Sequence, residues 1–170
     1  MAAARGDLER AADLYQHALL DLRLVGFKQG LVHALHSLAY VWRKLGNRQR
    51  AIEDEREALG LCQDVGDMCG VAVSLEGLGI SAIDPDRAIQ LLGAAHRLRL
   101  AGACRSTERQ VADTAERIAR LRASVSRDAF EQAWRTGTTM TLAEAVGQAL
   151  AEGDLPALTT ERSDPVRAEE

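Results

Sequence analysis

Apolar residues along this chain recur in steps of three and four, the spacing of a helix with one buried stripe. Leu31, Ala34, Leu35, Leu38 and Trp42 form one such stripe, and Gly46 stands where a left-handed residue would end the helix and turn the chain. A second helix is predicted to start near Arg48, to carry Ala51, Ile52, Ala58, Leu59 and Leu61, and to stop at Val65-Gly66. Leu75, Leu78 and Gly79 mark a third. A fourth carries Ala88 and Ala95 and opens with Asp84 as N-cap and Pro85 in the first helical position. Upstream, residues 7–24 read as a helix, and "MAAAR" reads as the last turn of another before it. Downstream, Ser106-Thr107 open a helix with Val111, Ala115, Ile118 and Leu121 on its apolar side. Ser126 caps a shorter one anchored by Phe130 and Trp134 and broken at "GTTM". Thr141 and Glu144 form a capping box for a last helix. The sum is about eight helices and no strand.

The pattern also repeats. Shifted by 40 residues, the chain matches itself at ten of the 35 positions paired from 6/46 to 40/80, among them Gly6/Gly46, Ala11/Ala51, Ala18-Leu19/Ala58-Leu59, Val25-Gly26/Val65-Gly66 and Leu35/Leu75. A fixed period of this length marks stacked helical hairpins, each burying its apolar face on the next. Alanine at the repeated seams lets backbones approach closely.

Leu35, Leu38-Ala39, Trp42, Gly46, Ala51 and Ala58-Leu59 fall at the spacings of the tetratricopeptide repeat, which the unit resembles. Ala39 replaces the family's glycine, and Glu55 stands where the second aromatic belongs; Tyr15 fills that place in the first unit. The C-terminal segments "RAIQLLGAAHRLR" and "AFEQAW" with "MTLAEAVGQAL" are similar to the end of the helical-repeat region of actinobacterial signalling ATPases and LuxR-type or antibiotic-regulatory transcription factors. The resemblance implies an all-α, tetratricopeptide-like helical hairpin array. Repeats would occupy 1–104, a C-terminal helical cap 105–152, and a flexible tail 153–170. It also implies a non-catalytic interaction or regulatory module: the chain holds no phosphate-binding GxxxxGK[ST] loop and no segment readable as a recognition helix.

Composition narrows the picture. Net charge is −4, which disfavours direct binding of nucleic acid by the whole surface. The cations are mostly arginine, which reads as genome composition rather than as a mechanism. No apolar run is long enough for a membrane span. Cys62, Cys69 and Cys104 are odd in number and form no CxxC pair. They are therefore expected as small thiols in a reducing cytoplasm, with neither a disulfide nor a metal site.

Candidate chemistry is sparse. His33 and His36 share one helix side without a third ligand, so neither metal nor cofactor is expected. The run "EDERE" at 53–57 reads as a solvated face with an Arg50–Asp54 pair. In tetratricopeptide arrays the first helix of each unit lines the concave face. That implies a partner-binding groove built from His33, His36, Tyr40, Arg43, Lys44, Val73, Glu76 and Ile80. Its cations and phenol suit a protein or acidic peptide. The alternative is a small-ligand receptor with a pocket between repeats and cap, favoured by a deep pocket near Trp134. A bare face on helix 7–24 would permit a homodimer.

Overall fold

The computed structural model describes residues 2–102 and 104–151. Within them the chain is all helical, with no strand. The elements are α1 (Ala2–Val25), α2 (Lys28–Leu45), α3 (Arg48–Val65), α4 (Met68–Ser81), α5 (Pro85–Gly102), α6 (Glu108–Ser124), α7 (Arg127–Thr139) and α8 (Leu142–Leu150). The tail expected at 153–170 lies outside the described residues.

Turn chemistry sets the element order. Gly26, Gly46 and Gly66 all have positive φ, so each helix ends in a left-handed residue that a side chain would strain. Two residues then suffice to reverse the chain. Asn47 and Asp67 accept hydrogen bonds from the backbone N–H of Arg50 and Gly70 and start the next helix. The three-residue link into α5 uses the Asp84 carboxylate, which accepts from the backbone N–H of Asp86 and Arg87. Thr107 and Thr141 make reciprocal capping boxes with Gln110 and Glu144.

Each helix from α2 to α5 folds back on its predecessor, and the core divides into three apolar clusters strung along the chain. Leu19, Leu35, Leu38, Trp42, Ala51 and Ala58 fill the first. Ile52, Leu59, Leu75, Leu91 and Val146 fill the second, Ile89, Leu92, Leu121, Phe130 and Ala133 the third. Ala51, Ala58, Ala88 and Ala95 are completely buried. Ala11 is only half-buried, and its neighbour Ala12 takes the inner place.

Several expectations are corrected. "MAAAR" is not a separate helix end, because α1 runs unbroken from Ala2 through Gly6. Within "GTTM" the break comes only at Met140, because α7 continues through Gly137 to Thr139. Gly137 is there for another reason: α7 lies against α5 so closely that a Cβ at Gly137 would meet the Gln90 carbonyl, and one at Gly93 would lie 2.9 Å from the Trp134 carbonyl. Backbone touches backbone at this seam, so α7, not α6, takes the place beside α5. On α6, Val111 and Ala115 are consequently exposed and only Leu121 is buried. Trp134 is half-buried, stacked 5.9 Å from Phe130.

The cysteine expectation also fails. Cys69 and Cys104 form a disulfide with a Cα separation of 5.5 Å. Cys69 is in the first turn of α4 and Cys104 follows the end of α5, so the reversal between these helices brings the two to the same end of the hairpin. Cys62 is a buried free thiol, and burial pushes it up to about 12. It therefore supplies no thiolate to exchange with the nearby bridge.

Two predictions follow from this packing. Gly137→Ala should destabilise by ~1–3 kcal/mol through overpacking, whereas Gly60→Ala in α3, where a Cβ meets nothing within 4 Å, should stabilise by ~0.5–1 kcal/mol. Urea denaturation reads both, and equal shifts would refute the close seam. Reducing the Cys69–Cys104 bridge, which spans 35 residues of sequence, should lower stability by ~2–4 kcal/mol. A Cys69→Ser/Cys104→Ser protein should then melt with the reduced wild type; melting with the oxidised form would remove the bridge from the fold.

Candidate functional site

At the junction of α2, α3 and α4 a carboxylate is buried. Glu55 projects from α3 at 1% exposure, on the same stripe as Ala51, Ala58 and Cys62. It fits because α4 has glycine opposite: a Cβ on Gly77 would collide with the Glu55 Oε1. Arg43 of α2 donates to that oxygen at 2.9 Å. His36, two turns earlier on α2, places its Nε2 2.9 Å from the Ser74 hydroxyl and 3.6 Å from Glu55 Oε2. The "EDERE" run is thus not a uniformly solvated face. Nor does Arg50 pair with Asp54: its guanidinium lies 4.7 Å over the Trp42 ring.

This cluster is not arranged as a nucleophile–base–orienter triad. In such a triad the acid and the hydroxyl engage opposite ring nitrogens, whereas Ser74 and Glu55 both face Nε2 of His36. Ser74 is also fully buried. The arrangement locks three helices in register.

The eight groove residues come together almost as expected. His33, His36, Tyr40 and Arg43 from α2 and Val73, Glu76 and Ile80 from α4 line one cavity of about 350 Å³. Lys44 lies outside it, in an adjoining hollow, and bonds to Asp113 of α6 at 2.9 Å. His33 is exposed at the rim, while His36 and Glu76 are drawn into the wall; Glu76 is held by both Nε and Nη2 of Arg99, each at 2.5 Å.

What the repeat pattern did not anticipate is a roof. Arg105, Thr107, Arg109, Gln110, Asp113 and Thr114, from the segment before α6 and from its first turns, close the groove from above. Arg109 sits 4.1 Å over the Tyr40 ring and Lys44 at 5.2 Å from it. Arg117 donates to the Ala82 carbonyl at the end of α4. Cys69 also lines the cavity, so the disulfide stands at its edge.

A second, larger hollow of about 750 Å³ lies beside Phe130 and Trp134. It is open to the surface, and its flanking Arg122, Arg127, Glu131 and Arg135 are exposed. It is not the deep pocket that a receptor near Trp134 would need. On α1, Leu14, Leu20, Leu24 and Val25 are exposed, and Phe27 just beyond them is too.

Together these features define an all-helical protein with a charged, roofed cavity on one side of α2 and α4. Among the described residues no helix is long and apolar enough to cross a membrane. No protein-family model, curated protein or solved structure matches the chain.

Burial drives the site's protonation. It raises Glu55 to about 7 against the pull of Arg43, and lowers His36 to about 4, with His33 and Arg43 adding to the effect. Glu55 thus holds an extra proton in the folded chain between pH 4.5 and 7, so its contribution is fully present below 4.5 and lost as pH rises through 7. His36 acts oppositely: unfolded it protonates near 6.5, so its contribution is present above 6.5 and lost as pH falls toward 4. Across pH 4.5–6.5 the two slopes oppose each other. Asp54, raised to about 7 mainly by burial, shares the sign of Glu55 and is present in both proteins compared below. In Glu55→Gln, stability should therefore climb more steeply with pH over that window than in wild type. Parallel curves from urea melts at several pH values would show that Glu55 is ionised throughout.

Proposed function

We propose that this chain is a non-catalytic interaction module of the tetratricopeptide-like kind, the sensor or scaffold arm of a bacterial transcriptional regulator or signalling ATPase. The forty-residue repeat and the serial apolar clusters support a hairpin array. The observation that carries the reading is the convergence of seven groove residues from α2 and α4 on one cavity. Its phenol and cations suit a protein or peptide that brings acidic side chains.

A second reading has its own support. The roof formed by α6 turns the groove into a cavity of about 350 Å³, within the range of small-molecule sites. A small-ligand receptor with its pocket between repeats and cap then follows. The exposed apolar side chains of α1 would serve a homodimer.

The test is a titration of fluorescent acidic and basic peptides of equal length. The acidic one should bind preferentially. Tyr40→Ala with Arg43→Gln, the glutamine keeping a donor for Glu55, should weaken it roughly tenfold, about 1.4 kcal/mol. A double variant with native circular dichroism and undiminished affinity would remove the groove from the interaction.

A further inference from the structure

The cavity between α2, α4 and α6 has an unequal stock of unused polar groups. Every carboxylate on its wall already has a partner. Glu55 Oε1 accepts from Arg43 and both oxygens of Glu76 from Arg99; Asp67 caps Gly70, and Asp113 accepts from Lys44. Three guanidinium groups are not used up in this way. Arg99 is nine-tenths buried, and its Nη1 has no hydrogen-bond partner among the described residues. Arg105 is exposed at the mouth and makes no hydrogen bond or ion pair with the described residues. Arg109 spends its face on Tyr40 and leaves its N–H edges available. A buried guanidinium donor without an acceptor is costly, and the acceptor it suits best is an oxyanion.

The rest of the wall says what such an anion would be attached to. Tyr40, Val73 and Ile80 give a flat and an apolar surface within the same cavity. At about 350 Å³ the space suits a small organic molecule and not a folded segment.

We propose that the roofed cavity is a binding site for a small organic anion, a carboxylate or phosphate carried on a compact, partly apolar body, with Arg99, Arg105 and Arg109 receiving the anionic head. Arg99 comes from α5, Arg105 from the segment before α6, and Arg109 from α6 itself. The site therefore needs the roof as well as the groove, and it closes when α6 is seated. The proposal rests on the binding-module reading and narrows its receptor form.

The test is a titration of the oxidised, full-length protein with 4-hydroxybenzoate and, separately, inorganic phosphate, followed by backbone amide and arginine Nε–H resonances. Saturable shifts at Tyr40, Val73, Arg99 and Gln110 are expected with 4-hydroxybenzoate. Arg105→Gln with Arg109→Gln, both at exposed positions, should weaken binding roughly fivefold or more while the fold is kept. Phosphate shifting the same resonances supports the anionic head as the recognised group. Shifts spread over surface arginines without saturation, or equal affinity in the double variant, overturn the proposal. The acidic peptide is titrated into the same samples: peptide binding without 4-hydroxybenzoate binding overturns the anion site and leaves the interaction module standing, whereas loss of both removes both.

Discussion

A single buried carboxylate constrains the middle of this protein. Glu55 cannot be exposed without rotating α3 and lifting Ala51, Ala58 and Leu59 out of the core. Kept inside, it needs a cation within reach, and Arg43 supplies it from α2. It also needs room on α4, which is why position 77 is glycine. Above pH 7, where Glu55 is ionised, removing one partner of such a pair costs about 3–5 kcal/mol, because the other charge is left buried and alone. The pair is therefore a poor source of net stability and a strict condition on register: α2, α3 and α4 come together in the one arrangement that satisfies it. The same arrangement puts His36 on Ser74 and lays Tyr40, Val73 and Ile80 along one cavity.

Much of this is legible in the amino-acid sequence. Glycine stops, caps and three- and four-residue apolar steps located the helices, because each is a local signal with a local cause. The groove residues were legible too, since a helix with one side in the core must turn the other outward. Glu55 was misread because a run of charges looks solvated. Yet the spacing carried the warning: i, i+4, i+7 from Ala51 puts Glu55 on the buried stripe with Ala58. A pocket under the C-terminal cap is one of the two readings of the sequence, but not which helix covers it. Val111, Ile118 and Leu121 suggest a helix seated on the array, but two backbones in contact at Gly93 and Gly137 favour α7 in that place. No periodicity reports that competition. The disulfide was missed for a related reason: the cysteines meet only because the two ends of one hairpin do.

Arginine content, which looked like a property of the genome, has work in the fold. Helix ends leave carbonyls without partners, and here side chains from neighbouring helices supply donors. Arg87 donates to the Gln148 carbonyl of α8, and Arg87 and Arg56 both to Ala151, at 2.6–2.9 Å; Arg97 donates to Met140 after α7, and Arg48 and Arg117 to Ser81 and Ala82 at the end of α4. A planar group with five donors on a long stem can reach such an end and bond it from the side. Lysine would bring the charge without the fork. Each of these contacts also places a cation at the negative end of a helix dipole. The C-terminal helices α7 and α8 are thus tied to α3 and α5 by carbonyl capping as well as by apolar burial.

The helices differ in how they are held, and the difference bears on the cavity. Close packing fixes α7: backbone contact along α5, with Phe130 and Ala133 buried. By contrast α6 buries Leu121 alone and meets α2 through the half-exposed Lys44–Asp113 pair and the Arg109–Tyr40 contact. Exposed ion pairs contribute about 0–1 kcal/mol each, and a cation over an exposed ring about 0.5–1 kcal/mol. Salt screens both more than it weakens an apolar seam. The seating of α6 is thus electrostatic where that of its neighbours is steric. The Cys69–Cys104 bridge compensates by anchoring the segment that leads into α6 to the start of α4. Charge contacts at the mouth of the cavity and the bridge at its edge thus share in holding the roof over α2 and α4.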